Sequence, residues 1–339
     1  MFSLLFLSGG LFLGWSLGAN DAANVFGSAV GSRMITFRRA AVICSVFVIL
    51  GAVIQGSGGS ETLNSLGSIP RMEFAFILTL SAAVTVFGMS GLGLPVSTSQ
   101  AIVGAIIGWN LYSGISTDSG VLSKILLTWI LCPVLAAMFA VILSAIMKRW
   151  LKRTYVHIIK QDIILRWALI VIGAFGSYSL GANNIANVMG VYVQSAGFQD
   201  IKVFGFVISG AQQLFFIGAL AISLGIFTFS KRTMKTVGGK LFKLTPESAL
   251  IVVLSHSLVL FIFSSSVLSN FVISLGLPPI PLVPVSSSQA IVGAIIGLGL
   301  ARGGYGINYK VLAEIGLGWI LTPVVSGLIA FVVLWGVLA

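Results

Sequence analysis

Charge is what this chain has least of. Only 8% of its 339 residues are charged, while 57% are hydrophobic and the mean hydropathy is +1.09. A soluble domain of this length could not hide so much apolar surface, so a water-soluble globule is excluded and a bilayer is implied. Cysteine is scarce as well. Cys44 and Cys132 both fall inside apolar segments, which leaves no disulfide framework, no metal-ligand spacing and no nucleophilic thiol. No zinc, nucleotide-binding or Ser-His-Asp pattern occurs, so an enzyme is not expected, and no resident cofactor either. No basic stretch precedes the first apolar run, which therefore reads as the first span rather than a cleaved signal. No lipid-attachment pattern is present.

The charge that is present is one-sided: nineteen Lys and Arg against eight acids, a net +11. Its placement argues against a nucleic-acid partner. Sixteen of the nineteen basic residues lie in four stretches, 33–39, 148–166, 231–243 and 302–310. Between them run about ten apolar segments, near 2–31, 40–56, 72–94, 96–112, 121–147, 163–193, 203–229, 247–276, 285–301 and 311–338. Several exceed the roughly 20 residues that a helix needs to cross, so tilted or broken spans are expected. With the N-terminus outside, ten crossings place all four basic stretches on the cytoplasmic side and the C-terminus outside. The expected location is the plasma or inner membrane.

The chain also repeats itself. PVSTSQAIVGAIIG at 95–108 returns as PVSSSQAIVGAIIG at 284–297, differing only at Thr98 and Ser287. GANDAAN at 18–24 returns as GANNIAN at 181–187, and WILCPV at 129–134 returns as WILTPV at 319–324. Two transmembrane repeats are expected, 1–160 and 161–339, each with an odd number of crossings and therefore inserted in opposite senses. That is the inverted-repeat architecture of secondary transporters: an all-α integral membrane protein of about 10–12 transmembrane helices, broken at the signature motifs. The first motif pair is 163 positions apart and the second 189. The additional residues of the second copy are assigned most simply to a basic cytoplasmic loop at about 229–245, read as solvated, with a regulatory or lipid-binding role as the alternative.

Among the eight acids, Asp21 alone sits inside a signature motif at membrane depth. A charge there costs about 2.5 kcal/mol or more unless it meets a partner or water. No basic residue is placed to neutralise it, so Na⁺ or a proton is its natural partner. Asn20 and Asn24 are four apart, one turn, and can face one point. Gly18 is expected to let the backbone break and free carbonyl ligands for a hard cation. A helix N-cap built by Asn and Asp is the compatible, plainer reading.

The PVS motifs read as an anion cradle. Pro95 and Pro284 close one segment and open the next. Ser97, Thr98, Ser99 and Gln100, and Ser286, Ser287, Ser288 and Gln289, then stand at the start of an apolar helix, where free N–H groups and the positive end of the dipole favour an oxyanion. Simple capping by serine, with close packing at Gly104 and Gly108 and at Gly293 and Gly297, is the alternative. His256, in an Ser-His-Ser run, reads as a structural histidine ahead of a proton relay. Gln212 and Gln213 are weaker candidates, to line a cavity or to hydrogen-bond between helices, and Trp129 and Trp319 read as packing residues.

With these residues in view, the chain resembles the inorganic phosphate transporter (PiT-type) family, known by a duplicated GAND-x-AN signature and Ser/Thr-rich PVS motifs. The resemblance covers essentially the whole chain. It implies uptake of phosphate coupled to Na⁺ or H⁺, termini on the outside, and a homodimer as a plausible assembly. It implies that Asp21, Asn20 and Asn24 bind the cation, with Asn183, Asn184 and Asn187 as counterparts. The PVS residues would surround phosphate and share in cation ligation. As a working assignment, Asn20, Ser97, Thr98, Ser99, Gln100, Asn183, Ser286, Ser287, Ser288 and Gln289 hold the substrate. Asp21, Asn24, Asn184 and Asn187 hold Na⁺. Asn184 departs from the aspartate that family members often carry there, which leaves the second cation site, the stoichiometry and the anion open. The expected function is a cation-coupled phosphate importer working by alternating access. A sulfate symporter, an H⁺-coupled phosphate symporter and, further off, an anion channel are the alternatives.

Overall fold

The computed structural model describes residues 2–91, 96–153, 157–203, 205–231, 233–234, 245–304 and 309–338. In lipid, an open chain can satisfy its own backbone only as an α-helix. The described residues form twelve: α1 (Ser8–Gly31), α2 (Phe37–Gln55), α3 (Ser57–Leu66), α4 (Met72–Gly91), α5 (Thr98–Ser113), α6 (Ser119–Arg153), α7 (Ile158–Met189), α8 (Gly210–Thr228), α9 (Pro246–Ile262), α10 (Ser266–Ser274), α11 (Ser287–Leu300) and α12 (Tyr309–Leu338). This is a multi-pass, all-α membrane protein. Each expected apolar segment is helical, with α9 and α10 forming a single span or re-entrant element bent by 69°. Six of the described helices are long and apolar enough to cross alone, or seven with the bent pair.

The α6 and α12 helices show why the fold needs a bilayer. Ile130, Val134, Met138 and Ile142 on α6 are exposed, as are Ile320, Val324, Leu328 and Val332 at the matching places on α12. In water these stripes would be a large aggregation-prone surface; facing lipid they need no cover. The pattern of burial along 131–140 is the same, residue for residue, as along 321–330.

The halves pack by exchange. Glycines of one half make room for the backbone of the other. A Cβ at Gly104 on α5 would overlap the Pro323 carbonyl oxygen on α12, and one at Gly293 on α11 would overlap that of Pro133 on α6. Likewise Gly18 on α1 sits against Ile222 on α8, and Gly181 on α7 against Val48 on α2. Gly225 meets the Trp15 carbonyl as Gly51 meets that of Tyr178. Small residues that let backbones approach are the usual way helices associate without a hydrophobic drive. Each of these six contacts joins one half to the other.

Stretches expected on the same side of the membrane also meet. Lys148 donates to the Ala301 carbonyl at 2.9 Å, Gln161 to Glu247 at 3.3 Å, and Arg302 to the Ser248 hydroxyl. Elsewhere, Thr62 donates to the Leu282 carbonyl at 2.6 Å and Asn64 to that of Gly190 at 3.3 Å.

Three local expectations are corrected. The segment expected from 203 begins instead as a hairpin, β1 (Ile201–Val203) paired antiparallel with β2 (Phe206–Ile208). Its β-branched and aromatic residues favour strand. Gly205 supplies a φ of 84°, and Ser209 starts α8 with a capping box completed by Gln212. The loop expected at 57–71 contains α3. The additional residues of the second copy are not in the basic loop. Gly51 and Gly225 are counterparts 174 positions apart, and so are Ser81 and Ser255 in the aligned runs at 72–86 and 246–260. The stretch between them is therefore equally long in both copies. The insertions are the hairpin region, before α8, and the bent α10 with the extended 277–286, after α9. Most of the basic loop itself, 235–244, lies outside the described residues, as does Pro95.

Gly293→Val should drive a side chain into the Pro133 backbone and destabilise the protein by about 1–3 kcal/mol. Gly88→Val on α4, where a Cβ meets nothing within 4 Å, should change little. Thermal unfolding in detergent, the two variants side by side, checks this.

Candidate functional site

Both GAN motifs lie within continuous helices, 18–24 in the middle of α1 and 181–187 in the last turns of α7. α1 runs unbroken from Ser8 to Gly31 and α7 from Ile158 to Met189. The break expected at Gly18, and the N-cap reading of Asn20 and Asp21, are both overturned. Gly18 is there because α8 comes too close for a side chain. The consequence for chemistry is direct: with its carbonyls tied into the helix, α1 offers side-chain oxygens at this depth.

The PVS motifs are true helix starts. Ser97 caps α5 by accepting from the Gln100 N–H at 3.3 Å, and Ser286 caps α11 by accepting from the Gln289 N–H at 3.2 Å. Capping by serine in the extended conformation is the favoured way to satisfy a helix's first amides. Ser97, Thr98, Ser99, Gln100, Ser286, Ser287, Ser288 and Gln289 are all buried. The two starts touch: the Ser99 hydroxyl donates to the Val285 carbonyl, just ahead of α11, at 2.9 Å.

The GAN helices reach across to these starts. Asn24 Nδ2 donates to Ser287 Oγ at 2.9 Å, and its counterpart Asn187 donates to Ser99 Oγ at 2.9 Å. Each bond runs from one half to the other. Asn187 also donates to Asn184 Oδ1 at 3.1 Å. Asn183 pins the extended stretch before α11 from both sides, donating to the Val283 carbonyl at 3.2 Å and accepting from the Val285 N–H at 2.9 Å. Asn20 turns elsewhere, to Ser90 on α4 and the Ser16 carbonyl, both at 3.1 Å. Asn184 donates to the Leu180 carbonyl. Ser286 and Ser288 share a hydrogen bond at 3.0 Å.

Asp21 is 6% exposed, and among the described residues no hydrogen bond or ion pair reaches its carboxylate. It stands three residues before Asn24, on the neighbouring turn. Further oxygens in the region lack partners: Gln100 Oε1, its counterpart Gln289 Oε1, and Asn187 Oδ1. A buried carboxylate with unpaired amide oxygens and hydroxyls near helix starts is a hard-ligand set suited to an alkali cation beside an anion.

His256 on α9 is fully buried, and its Nε2 lies 2.9 Å from Ser287 Oγ. Read as merely structural from sequence, it stands against the candidate cradle. A signal was available: α4 and α9 align, and the counterpart of His256 is Ala82. Gln212 serves the capping box and donates to the Val53 carbonyl, and Gln213 donates to the Gln199 carbonyl, so both act in structure. An apolar cavity of about 480 Å³, lined in part by Phe6, Phe74, Ile77, Ile329 and Val333 with Arg71 and Glu73, contains none of the signature residues.

Known proteins share this architecture. The model of the phosphate transporter family matches residues 17–330. A protein of Methanocaldococcus jannaschii named "Putative phosphate permease" is 30% identical, over 95% of this chain and 93% of its own. The sulfate permease CysP of Bacillus subtilis is also 30% identical, over 93% of this chain and 82% of its own. A solved structure titled "The sodium-dependent phosphate transporter" superimposes with a TM-score of 0.79 at 24% identity, covering 99% of each chain, a likeness of fold.

The cross-half bonds predict coupling. In a double-mutant cycle of Asn187→Ala and Ser99→Ala, stability should show an interaction of about 1 kcal/mol, the worth of one buried hydrogen bond. Thermal unfolding of the four proteins measures it.

Proposed function

The chain belongs to the phosphate transporter family, and from that premise we propose that it imports inorganic phosphate by Na⁺ symport through alternating access. The observation that carries this reading is Asp21: a buried carboxylate with no partner among the described residues, one turn from Asn24, which itself reaches a hydroxyl at the start of α11. Phosphate near neutral pH carries between one and two negative charges. Brought beside Asp21 it would be repelled; at an effective dielectric of about 20, unit charges about 4 Å apart repel by about 4 kcal/mol. Na⁺ between them turns repulsion into attraction, so ion and substrate bind together, as coupled transport requires. The solved neighbour's title, which names sodium dependence, supports the same choice of ion.

In this reading Asp21, Asn24, Asn184 and Asn187 hold Na⁺. Asn20, Asn183 and the residues of 97–100 and 286–289 hold the anion. The two halves are inverted repeats, both termini lie outside the cell membrane, and the exchanged packing lets the interlocked pairs rock about the site.

Sulfate is the second reading, favoured by the likeness to the sulfate permease and by Asn184, which leaves the site one carboxylate short of the duplicated GAND signature. Monohydrogen phosphate has a proton to donate and sulfate has none, so an ionised acceptor at Asp21 would favour phosphate.

The deciding experiment is labelled-phosphate uptake into proteoliposomes under an inward Na⁺ gradient, an inward proton gradient, or neither, with sulfate as competitor. Uphill uptake on Na⁺ alone, unaffected by sulfate, is expected. Proton-driven uptake would recast Asp21 as a protonation site, and strong block by sulfate would favour the second reading. Asp21→Asn should abolish Na⁺-driven uptake while leaving thermal stability equal or higher, because a buried unpaired charge is removed. Asn184→Asp should shift the Na⁺ concentration for half-activation by several-fold; an unchanged Na⁺ response takes position 184 out of the ion site.

A further inference from the structure

His256 has no part in the transport reading above, yet its imidazole meets the cradle at an atom that another partner, Asn24 of the repeated GAN motif, already holds. Ser287 Oγ lies 2.9 Å from Asn24 Nδ2, which donates to it, and 2.9 Å from His256 Nε2. The other ring nitrogen, Nδ1, is buried with no partner among the described residues. A buried N–H without an acceptor is rarer in folded proteins than a bare lone pair, so the ring proton belongs on Nε2 and the lone pair on Nδ1. Ser287 Oγ then receives two N–H donors, one from each side. A hydroxyl has two lone pairs and one hydrogen. Both lone pairs are filled, and the hydrogen is left to donate.

Ser99 shows the contrast. It accepts from Asn187 and gives its own hydrogen to the Val285 carbonyl, so its hydroxyl is closed within the protein. In the first half, the counterpart of His256 is Ala82, which has nothing to donate, and the counterpart of Ser287 is Thr98. The two halves of the site therefore differ in one functional atom.

We propose that His256 is a positioning residue that, together with Asn24, fixes Ser287 as an obligate hydroxyl donor to the transported tetrahedral oxyanion. A donor of fixed polarity rewards a bare anionic oxygen and cannot accept from a protonated one. The proposal rests on 286–289 being the anion cradle, as read above.

The test is uptake of labelled phosphate and, separately, labelled sulfate into proteoliposomes. The half-saturating concentration is read for whichever anion the wild-type chain carries. His256→Leu should raise it about tenfold, the loss of one charge-assisted hydrogen bond, with the maximal rate kept within about twofold. His256→Gln, whose amide N–H can take the place of Nε2–H, should recover most of the loss. In a Ser287→Ala background, His256→Leu should add nothing further. If His256→Leu does not fold, His256→Asn serves in its place, since its amide keeps the pocket polar and stops short of Ser287. An unchanged half-saturation in His256→Leu, an effect that persists undiminished in Ser287→Ala, or equal losses in the Leu and Gln variants would each overturn the proposal. A wild-type chain that carries sulfate and not phosphate corrects the transport reading and leaves this one standing. One that carries neither overturns both.

Discussion

Polar groups in the middle of a bilayer have no water to turn to, so each must find its partner within the protein. For two of the motif asparagines the partner lies in the opposite half. Asn24 and Asn187, at equivalent places on α1 and α7, each end on a serine hydroxyl of the other copy's PVS motif. Asn183 holds the extended stretch that leads into α11. Separating the halves would strand the Asn24 and Asn187 amides at membrane depth, where an unsatisfied buried polar group costs about 1–3 kcal/mol. The hydrogen bonds that build the candidate site are thus also what holds the two copies together.

The apolar packing follows the same exchange. α5 lies on α12 and α11 on α6, through Gly104 against Pro323 and Gly293 against Pro133. α1 lies on α8 and α7 on α2. Interior prolines leave a carbonyl free of its usual helical partner, and at both of these crossings a glycine of the facing helix comes against the proline's backbone.

Where the copies differ, function is the natural place to look. Asp21 faces Asn184 across the duplication, so only one GAN motif carries a charge. His256 faces Ala82, so only one PVS motif has an imidazole behind its hydroxyl. Among the described residues, the hairpin and the bent α10 are found only in the second copy. In the transport reading proposed above, these departures from symmetry match an asymmetric load, a cation nearer one side and an oxyanion between two helix starts.

Much of this was legible in the sequence. Composition alone required a membrane, because the apolar residues outnumber any interior the chain could build. The repeated motifs located both helix starts, since proline followed by serine specifies a local geometry that needs no tertiary context, and they contained Asn24 and Asn187, which bridge the halves. Other features could not be read locally. Glycine before Asn and Asp suggested a broken helix at residue 18, but a glycine's role depends on what lies against it, and only the approach of α8 decided that α1 stays continuous. The insertions were misplaced because charge drew attention to the basic loop, while counterparts are defined by packing. His256 looked structural because its meaning lies in Ser287, thirty-one residues away. Sequence determines which residues are polar, where helices start and how often a pattern recurs, because those depend on neighbours along the chain. Which oxygens meet, and which remain unpaired for a ligand, depends on neighbours in space, and only the tertiary structure decided that.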